Sequence, residues 1–124
     1  MPGLTFNKKE RLKSNRLINR VFREGFVVNV YPLRIVCLET KTAPFPASVA
    51  VSVPKKYLKK ATDRNRVKRR IKEAYRLLKP EFYHRLKNAG KHLYLVIVYQ
   101  SQKIEGFDAI QKQIKKGLNK ITQC

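Results

Sequence analysis

The sequence predicts an α+β fold in a single small domain, with elements in the order αβββαβα and helices packed on a four-stranded mixed sheet. The chain has 124 residues, 43% of them hydrophobic, which is enough for one domain with a modest core. Four short segments have the period or composition of strands, and three longer segments carry apolar residues at helical spacing. No repeat or linker divides the sequence, so residues 1–124 form one predicted domain.

The first helix is predicted to begin after Ser14, whose hydroxyl can accept a hydrogen bond from a backbone N–H one turn later. Its apolar face consists of Leu17, Ile18, Val21 and Phe22. We expect Gly25 to end this helix in a left-handed conformation. Strands follow at Phe26 to Tyr31 and Leu33 to Leu38. Pro32 between them lacks a backbone donor, which indicates a bend or an edge position.

The third strand is predicted at Ala47 to Val53, where small or polar residues alternate with valines. The two prolines of Thr40 to Pro46 indicate a connection before it. Thr62 or Asp63 can cap the next helix, which should run to about Leu78.

Pro80 could start a further helical turn that continues through Lys87. The near-continuous apolar run His92 to Tyr99 is typical of a strand covered on both faces. A last helix is predicted over roughly Phe107 to Ile121, because its apolar residues form one stripe.

The charge distribution is the strongest functional signal. Lys and Arg total 29 against 8 acidic residues, a formal net charge of +21. Between Lys55 and Arg76 alone there are eleven basic residues and two acids, Asp63 and Glu73. Because apolar residues recur through this segment at helical spacing, it should be a folded helix rather than a polar tail, and it needs a polyanionic partner.

The predicted basic helix has two distinct sides. The side expected to face the sheet consists of Val67, Ile71, Ala74, Tyr75 and Leu78. The opposite side carries Asn65, Arg69, Lys72 and Arg76, flanked by Arg66 and Arg70, with Arg64 and Lys68 at the boundary. A merely solvated face would interleave acids with bases, and only Glu73 interrupts this row. The pattern therefore favours phosphate binding, and the lack of mixed polar base readers favours a structured RNA.

A second candidate surface is aromatic. Phe22, Phe26 and Tyr31 lie near Arg20, Arg23 and Arg34 in the sequence. If these aromatic side chains are exposed, they would suit single-stranded nucleic acid, whose bases stack on aromatic rings. The alternative, which the residues alone favour slightly, is that these aromatic side chains belong to the core.

Other function classes lack support in the sequence. No apolar run approaches the length of a spanning helix, about 20 residues, and no signal-peptide core follows the basic N-terminus, so we expect a cytoplasmic protein. The acids are scattered, and no Ser/His/Asp or Cys/His constellation is apparent. Cys37 and Cys124 have no zinc spacing. We predict neither catalytic residues nor a metal site.

The segment Arg64-Asn65-Arg66-Val67-Lys68-Arg69 resembles the RNR motif of the bacterial ribonuclease P protein family. The preceding Val51 to Lys56 is similar to the family's strand followed by two lysines, and Glu73 and Arg76 continue the likeness. Arg11-Leu12-Lys13, Val21-Phe22-Arg23 and Gly25 also look like the family. The sequence departs from the common pattern at two places. Ile18 stands where many members have Phe, and Tyr57-Leu58 stands where a branched residue followed by Gly is frequent.

The resemblance implies a protein subunit that binds a large catalytic RNA and the 5′ leader of precursor tRNA. The RNA would perform the chemistry with Mg²⁺, and neither a membrane nor a stable protein partner is expected. The fold implied is ribosomal protein S5 domain 2-like, with a left-handed βαβ crossover. Expected RNA-binding residues are Lys55, Lys56, Arg64, Asn65, Arg66, Lys68, Arg69, Lys72 and Arg76. Expected leader-cleft residues are Phe22, Phe26 and Arg34.

Charge and a small α+β fold by themselves leave two alternatives open. One is a ribosomal or RNA-chaperone protein that binds structured RNA without a processing role. The other is an architectural DNA-binding protein, which composition does not exclude but which the lack of a helix-turn-helix pair makes the weaker alternative.

Overall fold

The computed structural model describes residues 11–40 and 46–123, which form three helices and four strands in the predicted order. These are α1 (Asn15–Glu24), β1 (Phe26–Val30), β2 (Leu33–Thr40), β3 (Ala47–Ser52), α2 (Ala61–Ala89), β4 (His92–Tyr99) and α3 (Phe107–Gln123). The predicted α+β class is confirmed. Most of the predicted connection from Thr40 to Pro46 lies outside the described residues. None of the described helices has the length and apolar character needed to cross a membrane.

The four strands form one mixed sheet in the order β1-β2-β4-β3. β1 pairs antiparallel with β2, and β2 pairs antiparallel with β4. β3 and β4 are parallel neighbours, and α2 connects them as a crossover. The hand of this crossover stays a prediction.

Both faces of the sheet are covered, but unequally. One face packs on α2 and α3 and forms the main core, which includes Ile35, Ile71, Leu95, Ile97 and Ile114. The other face packs on α1 through a smaller cluster of Leu12, Val21, Val36 and Val96. β4 is therefore covered on both sides, as its apolar sequence predicts.

The helix α2 is longer than predicted. It runs without interruption for 29 residues through Pro80, where we expected the helix to end and a separate turn to begin. A proline inside a helix removes one hydrogen bond and costs about 3 kcal/mol. Here Tyr75 precedes Pro80 and Phe82 and Leu86 follow it, all three buried in the main core, so packing on both sides of the proline offsets the loss.

The start of α2 also differs from the prediction. The N-cap is Lys60, which makes no side-chain capping bond, so neither Thr62 nor Asp63 is the cap. Asp63 lies in the first turn, where its charge complements the helix dipole.

Gly25 ends α1 for a different reason from the one expected. Its backbone is extended, with φ −79° and ψ 168°, and is not left-handed. A Cβ at this position would lie 2.5 Å from the Val21 carbonyl oxygen and 2.6 Å from that of Cys37. Glycine is therefore required by close backbone approach between the end of α1 and β2. The predicted cap at the other end of α1 is confirmed, since the Ser14 hydroxyl accepts from the Leu17 N–H at 3.3 Å.

Gly25→Ala should lower the free energy of unfolding by about 3 kcal/mol, because the new methyl group meets two backbone carbonyls that cannot move independently. Urea unfolding at fixed salt measures the loss. The matched control is Gly106→Ala, whose Cβ would meet nothing within 4 Å and should cost at most about 1 kcal/mol. Equal losses for the two variants would contradict the close-approach explanation.

Candidate nucleic-acid interface

The outward side of the first half of α2 is a row of exposed polar and basic side chains. Val67, Ile71 and Ala74 are buried against the sheet, and Leu78 is partly buried, as the helical spacing predicts. Their burial fixes the rotation of the helix. As a result Asn65, Arg66, Arg69 and Lys72 are exposed on the other side. Within residues 11–40 and 46–123, these four side chains form no hydrogen bond or ion pair. We call them the α2 row.

Two other arginines in the first half of α2, Arg64 and Arg70, form hydrogen bonds with backbone carbonyls of the protein itself. Arg64 Nη1 donates to the carbonyl oxygens of Leu58 at 3.0 Å and Lys59 at 2.8 Å. Arg70 Nη1 donates to the Glu105 carbonyl at 2.7 Å. These bonds tie the start of α2 to the preceding loop and the middle of the helix to the loop after β4. Arg64, predicted to bind RNA, therefore also has a structural function.

Arg76 is held within its own helix. Its guanidinium pairs with Glu73 at 2.5 Å and 3.0 Å. The hydrogen bond from Arg76 lowers the pKa of Glu73, and the same bond raises the pKa of Arg76. One of the nine predicted RNA-binding side chains is thus already paired with an acid, and the uncompensated charge is concentrated nearer the start of α2.

The lysines before α2 lie on a short turn. The Tyr57 N–H donates to the Pro54 carbonyl at 3.1 Å, and buried Val53 and Leu58 fix the two ends of the turn. Lys55 and Lys56 are exposed on it, with Lys56 Nζ 5.1 Å from the centroid of the Tyr57 ring. Because Arg64 bonds to Leu58 and Lys59, these lysines are held close to the start of the α2 row.

The aromatic candidates are exposed, so the interpretation that they belong to the core is wrong. Phe22 is 49% exposed, Phe26 42% and Tyr31 71%. Phe22 follows Val21, the α1 residue that is buried against Val36 and Val96. Phe22 therefore belongs to the helix that packs on the face with the smaller apolar cluster.

Strand register shows which strand residues lie on the face of the sheet that α1 covers. It aligns one row across the sheet: Asn29, Arg34, Val98 and Ser52. Paired residues share a face, so this row lies on the α1 side, about 6.6 Å along the strands from the row of Val36 and Val96. Asn29 and Arg34 are exposed, while Val98 and Ser52 are partly exposed. Because Phe22 is an exposed residue of α1, the helix packed on this face, we group Phe22 with this row and call the two together the α1 cleft.

Phe26 is not part of the α1 cleft. It pairs with Cys37, and Val28 and Val30 of the same strand pack in the main core. The alternation of strand side chains therefore directs Phe26 to the α2 and α3 side, opposite Arg34. The three predicted leader-cleft residues are therefore not on one face: Phe26 lies opposite Arg34, and Arg34 shares its face with α1, the helix that carries Phe22.

The sequence analysis did not group Asn29, Val98 and Ser52 with Arg34. Alternation from Arg34 would place Val36 and Leu38 on its face, but the neighbours of Arg34 on other strands follow only from pairing. Among the described residues, no three His, Cys, Asp or Glu side chains come together in a group that could hold a metal ion.

Comparisons with known proteins agree with this architecture. A family model described as Ribonuclease P matches residues 6–122. A ribonuclease P protein component of Porphyromonas gingivalis is 36% identical over 121 residues, covering 97% of this chain and 88% of the relative. One from a Picosynechococcus species is 29% identical over 111 residues, covering 90% of this chain and 89% of the relative.

Solved structures show the same fold. The RNase P protein of Staphylococcus aureus superposes with a TM-score of 0.74 at 21% identity, covering 90% of this chain and 94% of that one. The protein from Thermotoga maritima, in complex with 1-(4-fluorophenyl)-2-thiourea, gives 0.72 at 19% identity, covering 87% and 96%. Since the family model spans nearly the whole sequence and the Porphyromonas gingivalis relative is 36% identical over 97% of the chain, this protein belongs to the ribonuclease P protein family.

Proposed function

We propose that this chain is the protein subunit of a ribonuclease P, which removes the 5′ leader from precursor tRNA, and that the α2 row docks on the catalytic RNA. The observation that supports this most is the one-sided row of Asn65, Arg66, Arg69 and Lys72, exposed and without partners among the described residues. Arginine offers a planar fork that matches phosphate oxygens, and asparagine can bond to ribose or phosphate. A helix face of this composition binds RNA by backbone shape and charge.

The turn before α2 extends this docking surface. Lys55 and Lys56 lie next to the start of α2, where backbone N–H groups point outward and favour anions. Lys68 lies at the edge of the row and can reach a neighbouring phosphate with its flexible stem. Arg64 contributes through its remaining donors while it holds the turn in place.

The side chains of the protein are suited to binding RNA, and the cleavage chemistry is assigned to the RNA. The protein has eight acidic residues in all, and its basic surface is suited to neutralise phosphate repulsion. The RNA would hold the Mg²⁺ ions and perform the phosphodiester cleavage, while the protein supports the RNA and holds the substrate.

The α1 cleft is the proposed site for the single-stranded leader. Phe22 offers an exposed ring for base stacking, and Arg34 and Asn29 offer donors for phosphate or base edges on the adjoining strand surface. Val98 and Ser52 continue this surface towards the turn that carries Lys55 and Lys56. The cleft and the docking surface are thus neighbours, which lets one subunit contact both RNAs.

Reconstitution tests the proposal directly. The full chain is combined with a bacterial ribonuclease P RNA at low Mg²⁺, and cleavage of precursor tRNA is followed. We expect faster cleavage than with the RNA alone, because the basic surface replaces part of the screening that Mg²⁺ provides. Cleavage no faster than with RNA alone would refute the proposed function.

Arg66→Ala and Arg69→Ala should each weaken binding to the catalytic RNA and reduce the slope of log affinity against log salt by about one. Binding titrations over a range of salt concentrations give both quantities. The control is Lys112→Ala on α3, which removes the same charge from a different exposed surface. If all three variants lose affinity and slope equally, the attraction comes from net charge and the α2 row is not the docking site.

Phe22→Ala should weaken binding of precursor tRNA to the assembled holoenzyme by about tenfold while leaving mature tRNA binding unchanged, because the lost ring stacks on a leader base. Phe26→Ala is the matched control, since its ring is similarly exposed but lies on the other face. Equal losses of affinity for precursor and mature tRNA would show that Phe22 does not contact the leader.

A further inference from the structure

A polar pocket with aromatic walls adjoins the end of the α1 cleft. It is an open-sided depression of about 430 Å³ where the turn between β1 and β2 meets the loop that follows β4. Its walls include Tyr31, Tyr57, Gln100, Gln102, Lys103 and Glu105. We call it the Tyr31 pocket.

Backbone hydrogen bonds hold the walls of the pocket in place. The Gln100 N–H donates to the Pro32 carbonyl at 2.7 Å, which joins the two loops. The buried Tyr99 hydroxyl donates to the Lys103 carbonyl and accepts from the Glu105 N–H at 3.0 Å. Arg70 of α2 donates to the Glu105 carbonyl at 2.7 Å. Binding of a ligand in this pocket would therefore cost little free energy for ordering the loops.

The aromatic walls are suited to a flat ligand. Tyr31 is 71% exposed, the largest exposed fraction among the large hydrophobic side chains in the described part of the chain. Tyr57 is partly exposed, with the Lys56 ammonium group 5.1 Å from its ring centroid. Exposed tyrosine beside lysine is a typical platform for a nucleobase, with the cation available to the attached phosphate.

Of the two charged wall residues, Lys103 and Glu105, the carboxylate favours a base over a phosphate beside it. Glu105 contributes to the wall, and a carboxylate repels a phosphate group. Burial raises the pKa of the Tyr99 phenol, and the nearby Glu105 carboxylate adds to the rise. A carboxylate accepts hydrogen bonds from an exocyclic amino group, which adenine, cytosine and guanine have and uracil lacks.

The pocket lies at the same end of the sheet as the row of the α1 cleft. Tyr31 directly follows β1 and Gln100 directly follows β4, at the end of the sheet nearest the row of Arg34 and Ser52. Tyr57 lies on the turn that leads from β3 to α2. A single strand that leaves the cleft at this end would therefore come close to the pocket.

We propose that the Tyr31 pocket binds one nucleobase of the single-stranded leader, which stacks on Tyr31 and offers an exocyclic amino group to Glu105. The proposal rests on the proposed function and extends it to a preference for leader sequence. Lys103 and Lys56 at the rim would contact the neighbouring phosphates, and the amides of Gln100 and Gln102 would bond to the base edge.

The test uses holoenzyme assembled from the full chain and a bacterial ribonuclease P RNA. Precursor tRNAs carry a single 2-aminopurine at successive leader positions, and a second set has a leader too short to leave the cleft. We expect fluorescence quenching at one position beyond the short leader. Tyr31→Ala should abolish that quenching and weaken long-leader binding by about tenfold, with short-leader binding unchanged. Tyr31→Phe should retain both, and Phe26→Ala provides an exposed aromatic control on the other face.

Base preference supplies an independent readout. At the quenched position, cytosine should bind more tightly than uracil, and Glu105→Gln should remove the difference, because an amide can pair with either base edge. If Tyr31→Ala does not fold, the comparison of cytosine with uracil in the wild type and in Glu105→Gln still tests the pocket proposal.

Failure of the pocket can be distinguished from failure of the proposed function. If the wild-type chain does not stimulate cleavage, the proposed function fails and the pocket proposal with it. If cleavage is stimulated but no leader position is quenched, or if Tyr31→Ala weakens long and short leaders equally, the pocket proposal alone is overturned. The absence of a cytosine preference that depends on Glu105 would likewise overturn the assigned contact.

Discussion

The packing of the apolar stripe of α2 against the sheet is the constraint on which the rest of the structure depends. Val67, Ile71, Ala74 and Tyr75 are fully buried in the main core. Since helix residues have fixed angular positions, burying this stripe directs the α2 row outward and holds like charges together that would otherwise separate. Core packing therefore holds the α2 row in position without any bound partner.

The surrounding contacts determine which of the charges are available. Arg64 and Arg70 donate to loop carbonyls, and Arg76 pairs with Glu73, so these arginines stabilise the protein as well as contributing charge. Arg66 and Arg69 make no such bonds among the described residues. At a net charge of +21, self-repulsion weakens the isolated fold, and a polyanion that binds only the native state would stabilise it. Assembly with RNA and stability of the protein are coupled for this reason.

Errors in the predicted boundaries have local physical causes. Pro80 normally ends a helix, but the core contacts of Tyr75 and Phe82 on its two sides keep α2 continuous. Gly25 after a helix commonly indicates a left-handed residue, whereas here the nearby carbonyl of Cys37 on β2 requires it. Propensity describes the preference of a residue in isolation. At both positions a contact with a segment distant in sequence outweighs that preference.

The sequence by itself determined the order of the elements, the two sides of α2 and the resemblance to the ribonuclease P protein family, because these depend on spacing within a single segment. Only the tertiary structure decided which aromatic residues are exposed, that Phe26 and Arg34 lie on opposite faces, and that Tyr31 and Tyr57 line one pocket. Those outcomes depend on strand register and on how loops from different parts of the chain meet. A shift of one residue in register would exchange the two faces of a strand without changing its composition, so no local pattern contains that information.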